Sequence, residues 1–392
     1  MLRILSAALL SAAIIASIIL PNPEDPYEIF RILLILVFFL AARKYFIKNI
    51  PSPTPSGAIV MAIGIFINGA LYSFPLFTKA VRGMTVALFL LLCFIMYSYL
   101  QSAVKGNIRE KHFSHPVAGF AVGTWIAGIS VCSISIAQRI PEWLPVLRFL
   151  IAANLILWLV FVNTAVRHFS VLITKDQVGK VHGVLFLSTV ATQSLVIAAR
   201  VIFGPQKWYI AVAPWFLTLG IVFYIISFLL IVRRYIGQHL KINLDSNWFN
   251  TNCIIHGAMS ITGLASAVSG IVKPDAILAI WIWVIFWFAV VEAVEIARAV
   301  TRVRNHGFQK GLLVYNPTQW SRNFTFGMLY AFTMNFRIDK TMAAGSALEG
   351  FRMLILSYFN WAVLFLLILE VLIFMSDRVI INSGHEQKNT AF

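Results

Sequence analysis

A chain of 392 residues that is 60% hydrophobic and only 12% charged cannot be a water-soluble globule, in which charged residues make up roughly 25%. Its 31 Lys and Arg against 15 Asp and Glu leave a net charge of +16, but the basic residues stand singly or in pairs between long apolar runs. No basic stripe is formed, so nucleic acid is excluded as a partner.

Spanning the hydrocarbon core of a bilayer takes about 20 apolar residues. Twelve such runs are predicted, at 2–20, 29–48, 57–74, 84–104, 116–138, 145–166, 181–203, 208–233, 252–272, 276–300, 320–336 and 353–376. The fold class expected is therefore an all-α polytopic membrane protein, with lipid around it. The first two runs make an N-terminal transmembrane hairpin, 1–50. A basic segment from Arg43 to Lys48 and a Pro-rich linker tie it to a ten-helix core, 51–376, and a polar tail, 377–392, follows. Arg3 with the apolar run behind it has the pattern of a secretory leader, but no small-x-small site follows Leu20. The segment is expected to be retained.

With the N-terminus placed inside, 19 loop Lys and Arg fall on the cytoplasmic side and 7 outside. This is the bias of cytoplasmic loops, and it puts both termini in the cytoplasm of a cell-membrane protein. Cys93, Cys132 and Cys253 lie inside apolar runs with no CxxC spacing, which argues against a disulfide framework or a zinc site.

Within the ten-helix core the odd-numbered helices hold eleven glycines and the even-numbered ones only Gly220. Even helices are bulky and aromatic, as in Trp281 to Phe288. Small residues let backbones approach, and bulky apolar side chains suit lipid. Five hairpins, with the odd helices as an inner ring and the even ones outside, satisfy both demands and enclose a central pore. Tight packing without a lumen is the alternative. The uncharged polar residues of the odd helices, such as Asn68, Thr124, Ser194 and Thr333, can line a wetted pore or bond neighbouring backbone.

Four stretches carry a family resemblance. Ser56 to Ile65 resembles the opening of the first core helix of the tellurite-resistance/dicarboxylate transporter family, which includes the plant slow-type anion channels. Ser114-His-Pro through Trp125 is similar to the family's entry to its third helix, His256 to Ala265 to its seventh, and Asn323-Phe-Thr-Phe-Gly-Met-Leu-Tyr to its ninth. The resemblance implies five hairpins around a pseudo-fivefold pore, a homotrimer, and a phenylalanine gate that maps to Phe326. Gly327 stands where plant members have proline. Around that gate the expected pore residues are Thr325, Gly327, Tyr330 and Thr333, with Gly123, Thr124 and Gly263 on other helices and Arg322 attracting anions at the mouth. Phe324 lies about 200° around the helix from Phe326, so both cannot face one lumen.

Ionisable groups at membrane depth are functional candidates. Glu292 and Glu295 precede Arg298, at i,i+3 from Glu295, as an ion pair would require. Glu370 stands alone in a bulky run, as expected of a subunit contact or a protonated carboxyl. His182 and His256 begin odd helices; His256 and Glu292 are the candidate proton-coupling groups, and His115 before Pro116 suits a helix cap. No nucleophile elbow, Walker loop or HExxH occurs, so no catalytic residue, metal or cofactor is expected. The chain reads as a channel or transporter for small inorganic or carboxylate anions through an uncharged pore. Two alternatives stand beside it: a proton-coupled carrier of a dicarboxylate, sulfite or tellurite-related oxyanion, and a membrane redox protein built on His182 and His256.

Overall fold

The structure, a computed structural model, describes residues 52–237, 244–338 and 345–380. The expected hairpin at 1–50 and most of the tail lie outside the described residues. Ten principal helices run α1 Gly57–Asn68, α2 Val81–Val104, α3 Gly123–Arg139, α4 Leu144–Thr174, α5 Leu187–Phe203, α6 Lys207–Gly237, α7 Ile254–Ser269, α8 Pro274–Leu312, α9 Trp320–Met334 and α10 Gly345–Ile380. No strand occurs among the described residues.

The odd helices form a closed inner ring, in which α1 packs on α3, α3 on α5, α5 on α7, α7 on α9 and α9 on α1. Each even helix lies outside, in the groove between the inner helix before it and the next one round. A 3₁₀ turn leads into every inner helix, at Thr54–Ser56, Ala118–Val122, Gly183–Phe186, Asn250–Cys253 and Pro317–Gln319. These turns touch one another in the same cyclic order. All five inner helices therefore begin at one end of the bundle and run parallel, and the structural repeat is about 65 residues long.

Glycine permits the close approach of successive turns. A Cβ on Gly183 would sit on the Thr251 carbonyl of the next turn. Gly220, the one glycine of the expected even spans, faces the Gln193 amide, which donates to the Leu217 carbonyl at 3.1 Å.

Among the described residues seven spans are long and apolar enough to cross a membrane, those of α3 and α5 only with their leading 3₁₀ turns included. Of the others, α7 and α9 reach roughly 30 Å when their leading 3₁₀ turns are added at about 2 Å per residue, and α1 when the turns at both its ends, Thr54–Ser56 and Ala70–Ser73, are added. Outer helices overrun the expected spans, since α4 continues through Arg167 and His168 and α6 through Arg234 to Gly237. Counting apolar residues detects the hydrocarbon-buried part of a helix and misses the turns that continue among headgroups. Lipid-facing aromatics such as Phe149, Trp215, Tyr358 and Trp361 are exposed on the outer helices.

Most polar residues of the inner helices serve packing. Indole N–H groups of the outer helices donate to inner hydroxyls, Trp158 to Thr192 and Trp281 to Thr333, each at 3.0 Å. Asn154 of α4 donates to Ser130 at 3.0 Å, and Thr189 to the Gly220 carbonyl at 3.0 Å. In an apolar medium such bonds hold helices together where the hydrophobic effect cannot.

Candidate functional site

A cavity of about 440 Å³ lies on the axis of the inner ring, toward the C-terminal ends of its helices. Its wall repeats the same spacing five times: Ile65, Asn68 and Tyr72; Val131, Ile134 and Gln138; Ser194, Ile197 and Val201; Ile261, Leu264 and Val268; Met328, Ala331 and Asn335. Steps of three and then four keep one helical face toward the axis. The wall is apolar in its depth, apart from Ser194, and amide- and phenol-bearing at its mouth.

One turn deeper on those five faces stand Met61, Ala127, Val190, Gly257 and Phe324. The four with side chains are each at most 1% exposed. By helical spacing this buried layer comes next below the cavity-lining one, and Phe324 and Met61 are its two large side chains.

The expected gate residue lies elsewhere. The Phe326 ring stacks on Phe359 of α10, with centroids 5.2 Å apart and planes 14° apart, and meets Phe288 of α8 edge-on at 5.2 Å. Phe326 thus faces the outer helices and is not among the residues lining the cavity. Its expected companions are also seam residues. Thr325 packs at Gly257, Gly327 at Ile65, Gly123 at Leu187 and Gly263 at Phe332. Thr124 donates to the Ala121 carbonyl at 2.8 Å, the Tyr330 hydroxyl meets Ser73 at 2.7 Å, and Thr333 accepts from Trp281 at 3.0 Å. None of these eight lines the cavity. The small and hydroxylated residues expected at a pore are here the material of helix contacts.

Arg322 is likewise not a free cation at a mouth. Its guanidinium meets Glu295 at 2.7 Å and Glu292 at 3.8 Å, both on α8. Glu295 also takes the Trp248 indole N–H at 2.8 Å and Arg298 at 3.4 Å, and Arg298 donates to Asn250 at 2.6 Å. The Glu295–Arg298 pair foreseen at i,i+3 is present, inside a larger cluster joining α7, α8 and α9. His256 belongs to it: its Nε2 lies 3.8 Å from Glu292, and both ring nitrogens are buried without a hydrogen bond. The cluster stands beside Phe288 and Phe326, on the outward side of the inner ring.

His182 and His256 do not share a set of partners. His182 Nδ1 bonds the Thr251 hydroxyl at 2.8 Å, and its ring stacks on Phe249. His115 does cap its helix start, accepting the Ala118 amide at 3.0 Å. Among the described residues no group of three or more His, Cys, Asp or Glu could hold a metal ion.

One functional candidate escaped the sequence reading. Arg139, counted there as an outer-loop charge, ends α3, reaches across to α1 and bonds three cavity-lining residues, Asn68, Tyr72 and Gln138. The signal that could have found it is its place next to Gln138, which stands seven residues beyond Val131 on the lumen face.

The model of the voltage-dependent anion channel family matches residues 54–376, from the first 3₁₀ turn to the last turns of α10. The chain belongs to that family. A comparison with curated proteins finds no match. Family membership makes this a multi-pass membrane protein of the anion channel and transporter class, and at that level a non-enzyme. The match begins after the segment where the N-terminal hairpin is expected, and it covers the whole ring.

Proposed function

We propose that this family member passes small inorganic or carboxylate anions along the axis of the inner ring, through the cavity and past a closure formed by Phe324 with Met61. The observation that carries the reading is the fivefold lining: every inner helix turns the same face to one axial cavity, with no carboxylate among its lining residues. An apolar constriction excludes ions by excluding water, and an uncharged lumen selects among anions chiefly by how readily they dehydrate. Loop charge orients the protein with both termini cytoplasmic, in the cell membrane, and the cavity mouth outward. The family resemblance favours a homotrimer. Anion efflux from proteoliposomes, compared over chloride, nitrate, sulfite and malate, tests the function. Permeability no greater than that of protein-free vesicles would overturn it.

A second reading, the proton-coupled oxyanion carrier, is favoured by one observation, the 3.8 Å approach of buried His256 to Glu292. It predicts that uptake collapses when the proton gradient is dissipated; uptake that ignores the gradient removes it.

A further inference from the structure

Three of the polar side chains lining the cavity, Asn68, Tyr72 and Gln138, are oriented by a single cation. One terminal nitrogen of Arg139 donates to Asn68 Oδ1 at 2.9 Å, Gln138 Oε1 at 3.0 Å and the Ser135 carbonyl at 3.1 Å. The other donates to the Tyr72 hydroxyl oxygen at 2.7 Å and the Ile67 carbonyl at 2.8 Å. A guanidinium has only donors, so each group that touches it must offer oxygen. Gln138 therefore turns its Oε1 to Arg139 and keeps its amide N–H groups for other partners. Tyr72 accepts from Arg139 and keeps its O–H to donate. Both residues line the cavity. Asn68 is spent: its Oδ1 also accepts from Ser135 at 2.9 Å, and its amide donates to the Val131 carbonyl at 3.2 Å.

Arg139 makes no ion pair among the described residues. Its charge is thus uncompensated beside a mouth whose principal acceptors it has tied up. The helix arrangement makes such a charge necessary. All five inner helices end here, and helix C-termini carry partial negative charge that repels anions.

We propose that Gln138, Tyr72 and Arg139 form a binding site for a small monovalent inorganic anion at the open mouth of the axial cavity. Gln138 and Tyr72 donate to the ion, and Arg139 supplies the field and holds both donors in place. This rests on the conduction reading of the cavity and names where the ion first binds. One unpaired positive charge matches one negative charge. The second charge of a dianion would face the apolar walls around Ile134 and Val131, where an uncompensated charge is costly.

Nitrate is the probe. Arg139→Gln removes the field, and Gln138→Glu sets a carboxylate where the amide donors were. Gln138 is exposed, so its substitution leaves the fold intact even where loss of the five Arg139 bonds does not. Half-saturating nitrate for efflux from proteoliposomes is expected to rise about tenfold in each variant, the scale of one lost charge-assisted hydrogen bond. The rise in melting temperature of the purified wild type when nitrate replaces gluconate should vanish in Gln138→Glu. Wild-type half-saturation together with a retained melting response would overturn the site. If wild-type vesicles pass no nitrate, the conduction reading fails and the melting response decides alone. A wild-type response lost in Gln138→Glu then upholds the site; its retention in Gln138→Glu, or its absence from the wild type, overturns it.

Discussion

Replacing Phe324 with alanine should open the closed end of the cavity, and the size of the effect follows from geometry. The ring is 1% exposed and lies four residues, one helical turn, below the cavity-lining Met328. Its removal leaves a void on the order of 100–150 Å³, the size of a benzene site, with room for about three to five waters at roughly 30 Å³ each. The water-filled part of the lumen then deepens by about 5.4 Å, one turn. Each 1.36 kcal/mol taken from the barrier is worth about tenfold in rate, and losing an apolar closure is expected to exceed that. Nitrate efflux from Phe324→Ala vesicles should therefore rise at least about tenfold over wild type. Truncating a buried Phe costs about 3–5 kcal/mol in a packed core, so protein per vesicle and melting temperature must be measured alongside. Phe326→Ala is the matched control: it removes a ring of equal size that stacks on Phe359 at 5.2 Å, and should lower stability without raising flux. A gain in Phe326→Ala with none in folded Phe324→Ala would refute the assignment of the lumen face.

Three further outcomes are expected. Arg322→Gln takes from buried Glu295 its 2.7 Å arginine partner and leaves it Arg298 at 3.4 Å and the Trp248 indole; a buried carboxylate stripped of every partner costs about 3–5 kcal/mol, so the melting temperature should fall by less than that full loss would produce, and fall further in Arg322→Gln/Arg298→Gln. Gly183→Ala drives a Cβ onto the Thr251 carbonyl; overpacking costs about 1–3 kcal/mol, measurable as lower thermal stability, whereas Gly179→Ala, with open space around it, should change little. His112, outside the spanning segments, bonds Thr54 at 2.9 Å, and burial pushes it down from 6.5 to about 4. The unfolded chain then binds the extra proton first, so stability is lost as pH falls from about 6.5 toward about 4, and His112→Gln should flatten melting temperature against pH across that window.

The order of helices, the inner and outer classes and the family were legible in the sequence because hydropathy and residue size are one-dimensional signals. The azimuth of each helix was not. Phe324 and Phe326 are two residues apart in one apolar run, and only the neighbours in space say which faces the axis. The lumen positions recur at intervals of 63 to 67 residues with the same spacing, yet Ile65, Val131, Ser194, Ile261 and Met328 share no identity that would mark a repeat. Hydroxyls were ambiguous for a physical reason: Thr192 and Thr333 satisfy themselves on Ser188 and Leu329 carbonyls and on outer-helix indoles, and a sequence shows neither partner. Arg322 looked like a rim charge because Glu292 and Glu295 lie about thirty residues away in the chain.

The off-axis cluster and the lumen belong to one design through α9. Its azimuth is fixed from outside by three contacts: Arg322 on Glu295, Phe326 between Phe288 and Phe359, and Thr333 under the Trp281 indole. They span eleven residues, about three turns, so removing one leaves two that still hold the face bearing Phe324 and Met328 toward the axis. The same arrangement handles charge. Two of the carboxylates at membrane depth, Glu292 and Glu295, are drawn onto Arg322 and Arg298 on the far side of the inner helices. A carboxylate on the lumen face would repel anions across a low-dielectric wall, where charges act at full strength. Holding the acids outward with their own arginines keeps the path free of negative charge and leaves Arg139, which makes no ion pair among the described residues, to act on the ion.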